Sequence, residues 1–73
     1  MRFFALEGTF PSVLTEDGKA FIWNASDEAW GEISARALMA EPRTVELTKS
    51  EFETDLALDG IDPNTLSAIE TKG

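Results

Sequence analysis

The sequence predicts an α+β fold, in which a small antiparallel sheet is packed by a central helix and two short C-terminal helices. Three features lead to this prediction: a turn signal between two apolar runs, an apolar stripe at helical spacing in the middle of the chain, and two capped helix starts near its end. Seventy-three residues are enough for one domain and no more, so residues 1–73 are expected to fold as a single domain.

An N-terminal strand is expected in residues 2–10. Phe4, Leu6 and Phe10 share one phase of a two-residue alternation, which is typical of a strand with a buried face. Pro11 interrupts the pattern, because proline cannot donate to a strand ladder. We therefore expect the strand to be kinked at its far end.

A β-hairpin is expected in residues 12–23. Its two apolar runs flank Asp17 and Gly18, a pair that tolerates positive φ and so suits the two-residue type I′ turn. The predicted cross-strand pairs are Glu16 with Lys19, Leu14 with Phe21, and Val13 with Ile22.

A central helix is expected at about residues 27–40. The hydroxyl of Ser26 can cap its start, and Asp27 and Glu28 would then lie in the first turn, where the helix dipole favours negative charge. Pro42 ends the helix. The stripe that would pack on the sheet consists of Trp30, Ile33, Ala37 and Ala40. A short strand is possible at residues 44–47.

A second helix is expected at about residues 49–59. Thr48 and Glu51 have the spacing of a capping box, and Leu47 and Phe52 that of the accompanying hydrophobic staple. Gly60 supplies the left-handed position that commonly follows a helix end. Alternation within residues 51–59 also fits an exposed strand, so both interpretations stay open on the sequence alone.

A third helix is expected at about residues 63–70. Asp62 can cap its start, and Pro63 suits the first helical position because it lacks the N–H that would otherwise be unsatisfied. Ile61 and Leu66 repeat the staple spacing.

The charge balance argues against two classes of partner. Fourteen acidic residues against six basic ones give a formal net charge of -8, which disfavours contact with nucleic acid phosphates or an anionic membrane surface. No apolar run approaches the length that spans a bilayer. Because the chain has no cysteine, a disulfide framework is excluded and a cytoplasmic location is expected.

The side-chain inventory argues against catalysis. Histidine, cysteine and tyrosine are absent, which removes the usual general base, thiolate nucleophile and phenolic acid. A calcium loop beginning at Asp55 fails, because Ala57 and Leu66 would stand where oxygen ligands are essential. We therefore expect no enzymatic activity, no cofactor and no metal.

Two kinds of residue are candidates for binding another protein. The predicted hairpin is apolar on both faces, so each face is covered either by a helix of the chain or by another chain, and aromatic residues dominate interface hot spots. The apolar candidates are Phe3, Phe10, Leu14, Phe21 and Trp23. The acidic candidates are Glu46, Glu51, Glu53, Asp55, Asp59 and Asp62.

The expected function is that of a small acidic protein–protein interaction module. Its first form is an accessory or structural subunit of a larger assembly, such as a phage particle, or a small homo-oligomer; this form would use the apolar candidates. Its second form is an inhibitor that mimics nucleic acid and occupies a basic site on a target protein; this form would use the acidic candidates.

Overall fold

Four antiparallel strands follow one another along the first part of the chain in the computed structural model, which describes residues 1–72. A helix then leads to a fifth strand, and the chain closes with a second helix, a 3₁₀ turn and a third helix. The elements are β1 (Arg2–Leu6), β2 (Phe10–Leu14), β3 (Ala20–Asn24), β4 (Ala29–Ile33), α1 (Ala35–Ala40), β5 (Val45–Leu47), α2 (Lys49–Leu58), the 3₁₀ turn (Pro63–Thr65) and α3 (Leu66–Lys72). The five strands form one antiparallel sheet in the order β4-β3-β2-β1-β5, which confirms the predicted fold class.

The predicted N-terminal strand ends earlier than expected. Glu7 and Gly8 both have positive φ, at 56° and 75°. The Thr9 N–H donates to the Leu6 carbonyl oxygen at 3.0 Å and closes a tight turn. Phe10 therefore belongs to β2, where it pairs with Leu6 across the hairpin.

The predicted register of the second hairpin is wrong by one residue. The Thr15 N–H donates to the Lys19 carbonyl oxygen at 2.8 Å, and Gly18 takes φ of 86°, so the loop has three residues rather than two. The Thr15 hydroxyl stabilises this loop, because it accepts from the Lys19 N–H at 3.1 Å and donates to the Asp17 carboxylate. Val13 consequently pairs with Phe21 instead of Ile22.

The central helix is present, but it begins at Ala35 rather than near residue 27. Residues 29–33 form β4 instead, after a turn in which the Asn24 side-chain oxygen accepts from the Ser26 N–H at 3.0 Å. Ser26 is therefore a turn residue, and the cap is Ser34, whose hydroxyl accepts from the Ala37 N–H at 3.2 Å.

The helical stripe predicted for this region is broken by β4. Trp30 and Ile33 are three residues apart in a strand, so they lie on opposite faces of the sheet. Trp30 packs edge-on against Trp23 of β3, with 5.3 Å between ring centroids. This cross-strand contact is available only to a strand, which explains why β4 forms where helical spacing predicted a helix.

The C-terminal half confirms the local predictions. The Thr48 hydroxyl accepts from the Glu51 N–H at 3.1 Å, and the Glu51 carboxylate accepts from the Thr48 N–H at 2.8 Å, which completes the capping box. After α2, Gly60 has φ of 72° and the Ile61 N–H donates to the Leu56 carbonyl oxygen at 2.8 Å. The alternative of a strand in residues 51–59 is therefore wrong.

The predicted third helix begins as a 3₁₀ turn and continues as α3. The Asp62 carboxylate accepts from the Asn64 N–H at 2.9 Å, and Pro63 occupies the first position of the turn, as the sequence predicts. Among residues 1–72 no helix is long and apolar enough to cross a bilayer, since α2, the longest, has 10 residues.

The sheet separates two apolar clusters. Helices α2 and α3 cover one face, and the larger cluster contains Val13, Phe21, Trp30, Phe52, Leu56, Ile61 and Ile69. Helix α1 crosses the other face, where Leu38 packs with Phe4 and Ala20. Helices of the same chain thus contact both faces of the sheet.

Candidate functional site

The apolar candidates differ widely in exposure. Phe21 is only 4% exposed, because the register places it on the face that α2 and α3 cover. Phe3, Leu14 and Trp23 are half-buried. Phe10 is 45% exposed and is the member of this set that lies clearly on the surface.

Phe10 and Trp23 line one groove. It has a volume of about 330 Å³ and is bounded by the start of β2, the start of the β3–β4 turn and the segment that follows α2. Its lining residues are Thr9, Phe10, Pro11, Trp23, Ala25, Asp59 and Ile61.

A second groove adjoins the first. It has a volume of about 250 Å³ and lies between the C-terminal half of α2 and the β1–β2 hairpin. Asp55, Leu58 and Phe52 line its helical side, and Ala5 and Leu47 lie on its sheet side. Both grooves share Thr9, Pro11 and Asp59, so they are adjacent, and together we call them the paired groove.

Leu58 is the most exposed large apolar side chain at this surface, at 80%. Phe52 and Leu56 are four residues apart and buried, which fixes the inward face of α2. Leu58 is two residues beyond Leu56 and therefore points well away from that face. Sequence reasoning missed it, although its position outside the Phe52–Leu56 stripe was a usable signal.

The paired groove is negatively charged. Asp55 and Asp59 are its charged lining residues, and neither forms a salt bridge within the described part of the chain. Asp59 is also the C-cap of α2, where the helix dipole adds further negative potential. Among the side chains that the structure describes, no lysine or arginine lines the groove. A positively charged group from a partner would be attracted to it.

Other acidic candidates are engaged elsewhere. Glu46 forms a two-pronged ion pair with Arg2, at 2.7 and 3.0 Å, and this hydrogen bonding lowers the pKa of Glu46. Glu51 belongs to the capping box and Asp62 caps the 3₁₀ turn. Glu53 is exposed on α2 but does not line the paired groove. The structure thus joins Asp55 and Asp59 with two of the apolar candidates and leaves the remaining four carboxylates apart from them.

The paired groove offers apolar contacts and carboxylates. Across residues 1–72 no group of three acidic side chains is placed to hold a metal ion. Comparisons of the chain with protein-family models, with curated protein sequences and with solved structures each returned no match. The function is therefore argued from this geometry.

Proposed function

We propose that the chain is a non-enzymatic protein–protein interaction module that binds a partner protein through the paired groove. The observation that carries this proposal is the coincidence of exposed apolar and unpaired acidic side chains at one place. Leu58 and Phe10, 80% and 45% exposed, flank a depression whose charged residues are Asp55 and Asp59. Exposed apolar groups rimmed by polar ones mark interaction sites more often than isolated ones do.

The depression has room for side chains of a partner protein. Its two halves have volumes of about 330 and 250 Å³. Each half can receive an apolar side chain, against Trp23 and Ile61 in one and against Leu47 and Leu58 in the other. A lysine or arginine beside that apolar group would meet Asp59, which both halves share.

The charge of the chain favours a different protein over a second copy as the partner. Two copies would each bring a formal net charge of -8, which disfavours their association. We therefore place the chain in a cytoplasmic assembly as an accessory subunit on a basic partner.

A nucleic-acid-mimicking inhibitor is the second candidate. The exposed carboxylates of Glu53 and Asp59 favour it, since neither forms a salt bridge among the side chains of residues 1–69. The two candidates differ in what carries the binding energy. Binding by the interaction module depends on Leu58 and tolerates salt. Binding by a mimic depends on the summed negative charge of the chain and weakens steeply as the salt concentration rises.

The test is a capture experiment from the native source with three baits. Leu58→Ser removes the exposed apolar group of the groove, and Met39→Ser is the matched control, because Met39 is 50% exposed on α1. We expect a partner retained by the wild type and by Met39→Ser at moderate salt but lost by Leu58→Ser. If all three baits retain the partner at low salt and all three lose it at moderate salt, the interaction module is wrong and the nucleic-acid mimic takes its place.

Light scattering on the isolated protein gives an independent check. A monomer is expected at all accessible concentrations. A stable dimer that Leu58→Ser dissociates would mean that a second copy occupies the groove, contrary to the proposal.

A further inference from the structure

Strand β4 has a free edge. It pairs with β3 along one side, and it is the terminal strand in the sheet order. Proteins usually protect such edges with charged side chains, proline, a bulge or a covering element. Ala29–Ile33 contains no proline and no lysine, and Glu32 is its one charged residue. The opposite edge strand, β5, has only three residues, so it offers much less to a pairing partner.

Hydrogen bonding fixes which backbone groups of β4 face outward. The Thr15–Lys19 bond sets the phase of the β2–β3 ladder, in which Val13 and Phe21 are a hydrogen-bonded pair. Because these directions alternate along a strand, the backbone N–H and C=O groups of Ile22 face β4, where Ile22 pairs with Gly31. The N–H and C=O groups of Trp30 and Glu32 therefore point away from β3, toward the free edge.

A pocket lies beside this edge, on the face that carries Trp30. It has a volume of about 190 Å³ and is formed by the start of β4 and one side of α3. The Trp30 indole N–H donates to the Thr65 hydroxyl at 3.0 Å, which fixes the ring that forms one wall. The other lining residues are Glu28, Ala29, Ala68 and Ile69.

The charge next to the pocket is negative. Glu32 is exposed, lies on the same face as Trp30 two residues further along β4, and forms no salt bridge with the side chains described for residues 1–69. Glu28 is the charged residue of the pocket lining. A strand placed on this edge would be stabilised by a basic side chain opposite Glu32.

We propose that the β4 edge binds an extended segment of another protein as a sixth, antiparallel strand. The segment carries an apolar side chain opposite Trp30, which enters the pocket, and a lysine or arginine two residues earlier, opposite Glu32. Backbone hydrogen bonds to Trp30 and Glu32 provide affinity, and the two side chains provide specificity. A symmetric pairing of β4 with the β4 of a second copy does not meet this description, because β4 has no basic residue to place opposite Glu32.

The probe is a blocked peptide of sequence Thr-Thr-Lys-Thr-Val-Thr-Thr, added to the isotope-labelled full chain. Backbone amide resonances of Trp30 and Glu32 are expected to shift on titration to millimolar peptide. Methylation of the peptide nitrogens of lysine and valine is expected to abolish these shifts, because those N–H groups face β4 in the proposed register. Methylation of the peptide nitrogens of the threonines that directly follow lysine and valine is expected to preserve the shifts, because those N–H groups face away from β4.

Variants of the chain test the side-chain contacts. Glu32→Lys is expected to weaken binding about tenfold, and a peptide with glutamate in place of lysine restores it. Glu53→Lys is the matched control, since Glu53 is an exposed carboxylate on α2. Ala68→Leu, which fills the pocket, is expected to prevent binding, whereas Ala57→Leu on α2 leaves it unchanged.

Three results would overturn the proposal. The first is the absence of shifts at Trp30 and Glu32 at saturating peptide. The second is equal binding of the peptide methylated on lysine and valine, which would exclude strand pairing. The third is a shift of the same amides with protein concentration alone, which would assign the edge to a second copy. Leu58→Ser is expected to leave peptide binding intact, so this proposal and the paired groove can fail separately.

Discussion

Replacing two leucines of α2 by alanine gives the sharpest test of how the helix packs. Leu56 is fully buried, at 0% exposure, in the cluster that contains Phe52, Ile61 and Ile69. Leu58, two residues later, is 80% exposed. The same chemical change therefore removes a core side chain at one position and a surface side chain at the other.

The expected magnitudes differ by several fold. Leu56→Ala should cost about 3 kcal/mol, the usual loss for a fully buried leucine that leaves a partly relaxed cavity. A chain of this length has a free energy of unfolding of roughly 4–11 kcal/mol, so this one change removes a large share of it. Leu58→Ala should change the free energy of unfolding by less than about 0.5 kcal/mol.

Urea unfolding followed by tryptophan fluorescence measures both variants. We expect the midpoint to fall strongly for Leu56→Ala and to stay near the wild-type value for Leu58→Ala, with the slope unchanged in each case. Comparable losses at both positions would refute the reasoning, because they would require Leu58 to be packed. A loss at Leu58 alone would mean that α2 presents a different face to the sheet.

Two further predictions concern the turns and the ion pair. Gly18→Ala should lower the free energy of unfolding by about 1 kcal/mol, because Gly18 has φ of 86°. Gly31→Ala should be nearly neutral or stabilising, since an added Cβ there meets nothing within 4 Å. Thermal unfolding compares the two variants. The hydrogen bond from Arg2 lowers the pKa of Glu46, so the stability from this pair is present above the ordinary glutamate pKa and is lost as the pH falls through the lowered value. Glu46→Gln should remove that part of the acid dependence of the urea midpoint, and an unchanged pH profile would show that the pair contributes nothing.

Features set by neighbouring residues were predictable from the sequence. The capping box of Thr48 and Glu51 and the Asp62–Pro63 helix start depend on side chains within three residues of the groups they satisfy. Such contacts form wherever the chain turns into a helix, whatever packs against it. The ends of α2 and the start of the 3₁₀ turn therefore agree with the predictions to within a residue or so.

Features set by contacts across a turn or between paired strands were not predicted. Asp17-Gly18 suits a two-residue turn, but the Thr15 hydroxyl bonds both Asp17 and Lys19 and so favours a three-residue loop. Trp30 and Ile33 have helical spacing, but the contact with Trp23 forms only when Trp30 is in a strand. In each case a partner that local pattern reasoning did not weigh decided the outcome.

The candidate site was predictable only as separate parts. Phe10 and Trp23 were singled out for their aromatic rings, and Asp55 and Asp59 for their charge. Their meeting in one groove depends on where α2 crosses the sheet, which the sequence does not specify. Leu58 was missed, although it lies outside the stripe formed by Phe52 and Leu56.

The two proposed surfaces meet at the tryptophan pair, and this governs how the experiments must be interpreted. Trp23 lines the paired groove, Trp30 lines the pocket beside β4, and their rings are in edge-on contact at 5.3 Å. A fluorescence change alone therefore cannot assign a partner to either surface, since occupation of one moves the environment of both indoles. Leu58 and Glu32 lie outside this pair, so Leu58→Ser and Glu32→Lys separate the surfaces. If binding at one surface alters affinity at the other, linkage requires the effect to be equal in both directions.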